Sequence, residues 1–157
     1  MKVWQILRTL EKLESSMSNY YDRLARCHRQ DQEAAAFFAR MREEEVTHRD
    51  IVRFERRLTL NAPEAFEDLK DYDQAELEQT VRTIEDLAER APELTLGEAL
   101  HSSVQIERSA TQQHYRSIVG KVSPGLRSLI RSLGGSDSEH AARLEAFALG
   151  RGVALHL

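Results

Sequence analysis

Ala34-Ala35-Ala36-Phe37-Phe38-Ala39-Arg40-Met41-Arg42-Glu43-Glu44-Glu45-Val46-Thr47-His48-Arg49-Asp50-Ile51-Val52 is the stretch that decides the fold. Ala34, Phe38, Met41 and Val52 keep the three-or-four-residue rhythm of the buried side of an α-helix. Glu45 and His48 occupy the two steps between Met41 and Val52, where that rhythm asks for apolar side chains. Charged groups are rarely buried unless they are paired or bind a metal. Residues three apart on a helix share a face, so this pair can present an oxygen and a nitrogen to one point.

Working outward, the same intrusion recurs. Upstream, the stripe Val3, Leu7, Leu10, Met17, Tyr21, Leu24 carries Glu14 at its middle. Downstream, Leu100, Val104, Thr111, His114, Ile118 carries Glu107, and Leu126, Ile130, Leu133, Leu144, Phe147 carries Asp137 and His140. A lone acid followed by acid-x-x-His thus occurs twice, with steps of 31 (Glu14 to Glu45) and 30 (Glu107 to Asp137). Packing alone does not explain six such groups at repeat-related positions. Glu14, Glu45, His48, Glu107, Asp137 and His140 are therefore the expected ligands of a dinuclear metal site, Glu14 and Glu107 bridging or capping from their own helices. Four carboxylates would offset two divalent cations. Mixed imidazole and carboxylate donors suit iron or manganese better than a thiophilic metal. The expected cofactor is two Fe ions, with Mn or a mixed Fe/Mn pair as the alternative.

The spacing predicts an all-α fold with long helices over 3–27, 31–59, 96–119 and 123–149, and a shorter amphipathic helix over 73–91. Asp31 can cap the second helix, Thr95 and Glu98 can form a capping box, and Pro124 suits a first helical position. Asn61-Ala62-Pro63 ends the second helix, because the residue before proline avoids the helical region. Two long helices, a long crossover carrying a short helix, then two more long helices is the ferritin-like four-helix bundle, here as one domain over 1–157. Gly134-Gly135 costs about 1 kcal/mol per glycine inside a helix, and Ser136-Asp137-Ser138-Glu139 could start a fresh helix. The stripe keeps its spacing through the glycines, which favours a continuous or kinked helix.

Composition narrows the function. A formal charge of −4 gives no basic face for nucleic acid. No apolar run approaches the ~18 residues a membrane span needs, and the start, Met1-Lys2-Val3-Trp4-Gln5, lacks a signal-peptide core. The single cysteine, Cys27, excludes an internal disulfide and a Cys-x-x-Cys centre. A cytoplasmic protein without nucleic-acid or membrane partners is expected.

The residues resemble the rubrerythrin branch of the ferritin-like proteins. Glu14-x-x-Met17-x-x-Tyr20-Tyr21-x-x-Leu24-Ala25 and Phe38 with Met41-x-x-x-Glu45-x-x-His48 are similar to the first half of that domain. Glu107 with Tyr115, then Leu133-x-x-x-Asp137-x-x-His140, are similar to the second. The resemblance spans nearly the whole chain and implies two irons that react with peroxide or dioxygen, in a homodimer or larger homo-oligomer. Three departures go with it. Asp137 stands where the family has glutamate, Ala110 where rubrerythrins proper have a further glutamate, and the cysteine-rich rubredoxin module is absent. An external electron donor is then required.

The function expected from this reading is a di-iron peroxidase or ferroxidase, with Glu14, Glu45, Glu107 and Asp137 as the catalytic carboxylates. Tyr21 and Tyr115 either orient those carboxylates by hydrogen bonding or simply fill the core. His114 is a buried neutral histidine or an added donor. His28, His101 and His156 read as surface groups, Cys27 as an inert thiol, and the run Arg40 to Glu44 as a solvated face. The alternatives are an iron storage or delivery protein and a metal-free adaptor bundle whose buried acids are paired with arginines.

Overall fold

In a computed structural model the chain is described over residues 1–66, 74–109 and 124–155; the side chains of 65, 124–126, 129, 130 and 132–138 lie outside the description. The described residues are all-helical. Five α-helices run α1 Val3–Cys27, α2 Gln32–Asn61, α3 Gln74–Arg90, α4 Leu96–Ser109 and α5 Pro124–Gly150, with short 3-10 turns at Pro63–Ala65 and Ala91–Glu93. The remainder of the expected third long helix, beyond Ser109, falls outside the described residues, as do Tyr115 and His114.

Local chemistry sets the helix starts. Asp31 accepts a 3.1 Å hydrogen bond from the Ala34 amide and so satisfies one orphan donor of α2. Before α4, the Glu98 amide donates to Thr95 Oγ1 at 3.3 Å and the Thr95 amide donates to Glu98 Oε2 at 2.8 Å, a reciprocal box. The helical backbone of α5 continues through Gly134 and Gly135, as its unbroken apolar spacing predicts.

The helices run antiparallel in pairs, as their cross-contacts record. Between α1 and α2, Glu11 meets Arg53 and Arg56, Glu14 meets His48, and Asp22 meets Arg42. Between α2 and α5, Asp31 and Glu33 meet Arg151, Phe37 stacks on Phe147 at 4.2 Å, and Glu44 meets Arg143. Between α4 and α5, Arg108 pairs with Glu145 at 2.9 Å. The connecting helix α3 lays Leu77, Val81, Ile84 and Ala88 into the core beside α1. Every α1 stripe position named above is buried, from Val3 to Leu24, as is every α2 position from Ala34 to Val52. Among the described residues, no helix is long and apolar enough to cross a membrane.

Candidate metal centre

Each helix of the two antiparallel pairs delivers at least one acid or histidine to a common interior point. Glu14 comes from α1, Glu45 and His48 from α2, Glu107 from α4 and His140 from α5, all buried. Glu45 stands at the middle. Its Oε2 lies 3.1 Å from Nδ1 of His48 and its Oε1 2.9 Å from Nδ1 of His140. The two imidazoles stack with centroids 5.3 Å apart. Glu14 Oε2 approaches His48 Nδ1 at 3.8 Å, and Glu107 Oε1 approaches His140 Nδ1 at 3.5 Å. Tyr21 on α1 donates its hydroxyl to Glu107 Oε1 at 2.6 Å, a short charge-assisted bond across the bundle.

Of the six expected ligands, Glu45, His48 and His140 lie together as one buried group, with Glu14 3.8 Å from His48 and Glu107 3.5 Å from His140. Asp137 lies on α5 one turn before His140, hence on the same helix face, and its side chain is outside the description. Tyr21 takes the orienting role open to it, hydrogen-bonding Glu107 rather than the Glu14 of its own helix.

The run Arg40 to Glu44 is not uniformly solvated. Glu44 turns inward far enough for its Oε2 to lie 2.7 Å from Nε2 of His140, while Arg143 holds it from outside, donating to Oε1 at 2.8 Å and also to Oε2. Composition hides this residue, because three consecutive glutamates look alike until the face opposite α5 is known. His28 is also less exposed than a surface group. It packs against Phe38 at 5.9 Å between ring centroids, and burial pulls its pKa below the ordinary value.

The electrostatics follow from crowding. Burial opposes ionisation of Glu45, but the two histidines outweigh it and bring its pKa down to about 2. Burial likewise opposes charge on His140, yet Glu107 and Glu45 push its pKa up to about 11. Glu107 moves the other way: burial, then the Glu45 charge, raise it against the pull of His140 and Tyr21. Tyr21, wholly buried and beside Glu107, stays a neutral donor with its pKa raised well above that of a free tyrosine. On the rim, the Arg143 bond lowers Glu44.

Distance and direction disagree around His140. The acids reach its nitrogens but lie off the ring N–H directions, so both nitrogens and Glu45 Oε1 are buried without an aligned hydrogen bond among the described residues. Buried polar atoms left in that condition are costly, and a cation between them would satisfy them. Glu45, His48 and His140 form a buried group that could hold a metal ion, with one donor atom from each lying within 4.8 Å of the others. Oxygen and imidazole nitrogen donors in this mixture fit iron, manganese or zinc.

No family model, no curated protein and no solved structure matches the chain.

Proposed function

We propose that the chain is a ferritin-like bundle binding two irons and acting as an oxidoreductase on hydrogen peroxide or dioxygen. The single observation that carries this reading is the buried group of Glu45, His48 and His140, with Glu14 3.8 Å from His48 and Glu107 3.5 Å from His140. Each isolated acid-x-x-His pair has a bland explanation, whereas Glu45 and His48 facing His140, with two further acids beside them, fit the carboxylate and histidine design of di-metal bundles. Two Fe(II) would supply one electron each, which with two protons reduces one peroxide to two waters.

The chain's own residues then have separable tasks. Glu14, Glu45 and Glu107 hold the cations and offset their charge, with Asp137 as the fourth carboxylate of the expected set. His48 and His140 supply the nitrogens. Tyr21 fixes the Glu107 carboxylate by its 2.6 Å hydrogen bond. Phe38, Met41 and Val104, all buried, are among the apolar side chains that keep water out of this core. An external reductant would return the electrons, and a homodimer or larger assembly remains part of the proposal.

A second reading has its own observation. Protonated His140 between Glu45 and Glu107 makes a paired core without any metal, as an adaptor bundle would need.

Metal analysis separates the two. Protein purified without chelator and titrated anaerobically with Fe(II) is expected to take up about two irons per chain, by the two-metal precedent, and then to consume added peroxide. Glu107→Ala should lose that consumption while keeping its helical circular dichroism. Iron uptake of zero would leave the paired-core reading standing, and many irons per chain would indicate storage.

A further inference from the structure

Glu44 belongs to neither acid-x-x-His pair, yet it is the acid nearest to Nε2 of His140. The two residues come from different helices, 2.7 Å apart, and differ in exposure: the His140 side chain is 0% exposed and that of Glu44 37%. An exposed Glu–Arg pair by itself is worth little. Here the pair faces inward as well. Arg143 bonds both carboxylate oxygens from the solvent side, which fixes the Glu44 side chain and holds its Oε2 over the imidazole.

The two ring nitrogens therefore have different surroundings. Nδ1 faces Glu45 Oε1 at 2.9 Å and Glu107 Oε1 at 3.5 Å, toward the interior cluster. Nε2 faces Glu44 alone among the described acids, on the side that leads to Arg143 and solvent. A neutral imidazole carries one N–H and one lone pair, and the hydrogen bond made by one nitrogen decides which nitrogen is left to bind a metal. None of these three contacts is aligned with its N–H direction, so neither ring nitrogen has a completed hydrogen bond among the described residues.

We infer that Glu44 is the positioning residue of His140: Arg143 braces its carboxylate, the carboxylate takes the Nε2 proton, and Nδ1 is left facing the cluster as the metal donor. The inference rests on the metal-centre reading above. It adds a residue that spacing within the stripes does not select, because Glu44 lies off the α2 stripe and acts only across to α5. It also gives Arg143 a role beyond a surface ion pair, since losing the brace frees Glu44 to turn into solvent.

Co(II) alone is the probe, since its binding is read optically and it shifts the proton resonances of ligated histidines. The full chain should bind Co(II) and show a slowly exchanging, shifted resonance from the His140 Nε2 proton, absent in His140→Ala. Glu44→Ala is expected to weaken Co(II) binding about 10–100-fold, the usual cost of losing a partner to a metal-bound histidine, and to broaden that resonance by fast solvent exchange. Glu44→Gln, whose carbonyl still accepts the proton, should recover most of the affinity and the slow exchange. Arg143→Gln should fall between, and Glu43→Ala should match the parent. The inference is overturned if Glu44→Ala binds Co(II) as tightly as the parent with the resonance unchanged, or if Glu44→Gln is as weak as Glu44→Ala. Failure of the parent protein to bind Co(II) at all would remove the metal-centre reading itself. Melting of each variant with chelator present identifies any loss due to misfolding, and Arg143→Gln, at a half-exposed position, carries the test if Glu44→Ala does not fold.

Discussion

The α1–α2 half of the centre and the α4–α5 half are near repeats in sequence but unequal in physics. In the first, Glu14 and Glu45 approach one histidine, at 3.8 and 3.1 Å from the same Nδ1. In the second, His140 is enclosed by Glu45, Glu107 and Glu44, and two of those three acids belong to α2, the opposite half. Glu45 lies closer to His140 across the bundle, at 2.9 Å, than to His48 on its own helix, at 3.1 Å. Helical spacing puts a donor on the correct face. Which donor carries the proton is decided by the neighbours that another helix brings.

The largest expected effect is at the point the halves share. Glu45→Gln keeps the shape of the side chain but removes the charge that both histidines face. Breaking a buried ion pair by removing one partner costs ~3–5 kcal/mol, and the lower part of that range applies because Glu107 still faces His140. Urea unfolding with chelator present measures this loss. The same variant should lose metal from both halves together in Co(II) titration. Loss from the His48 side alone would show that Glu45 serves only its own helix.

Stability should then depend on pH through His140 and Glu45. The folded pKa of His140, about 11 against an ordinary 6.5, means its stabilising contribution is complete below about pH 6.5 and fades as pH rises toward 11. Glu45, about 2 against an ordinary 4.5, contributes fully above about pH 4.5 and loses its share as pH falls toward 2. Metal-free protein should therefore gain most from this cluster between those two limits, around pH 4.5 to 6.5. Thermal melts with chelator should show His140→Ala losing stability in that window and having a flatter alkaline limb than His48→Ala. Equal alkaline limbs for the two variants would mean that His140 does not carry the alkaline loss. A metal held by this group would compete with the His140 proton, so binding should tighten as pH rises through neutrality, with proton uptake by the buffer as the readout.

The legibility of the molecule divides along the same line. The stripes of α1 and α2 could be read residue by residue, because a buried face repeats every three or four positions and the intruding Glu14, Glu45 and His48 stand out against Leu, Phe and Met. The caps at Asp31 and Thr95 were equally plain, since their chemistry is local. Continuity of α5 through Gly134-Gly135 followed from spacing on both sides, which outweighed two poor helix formers. Glu44 was not legible. Its significance is a cross-helix distance, and no periodicity within α2 distinguishes it from Glu43. Nor could Tyr21 be assigned to Glu107 in advance, because pairing between α1 and α4 depends on how the helices cross. The choice of candidate residues rests on the readable part, the stripes; their meeting and their protonation pattern rest on the part that only three dimensions reveal.

Tyr21→Phe is the smallest and most local test of the inequality. The hydroxyl of this α1 residue donates to the α4 acid at 2.6 Å, and its removal changes one oxygen in a buried core. Leaving a buried carboxylate without that donor costs about 1–3 kcal/mol. The loss should be seen where Glu107 is ionised and should shrink in acid, because a protonated Glu107 no longer depends on an external donor. Since Tyr21 holds the already raised Glu107 pKa down, its removal should raise that pKa further, so Glu107 should take up its proton at a higher pH in the variant than in the parent. If the destabilisation is the same at all pH values, Tyr21 is a packing residue and its hydrogen bond does not tie the two halves together. If it follows the Glu107 titration, α1 stabilises a charge in the opposite half, as α2 does through Glu45. The sequence repeat would then be joined by cross-helix pairs rather than assembled from two self-contained sites.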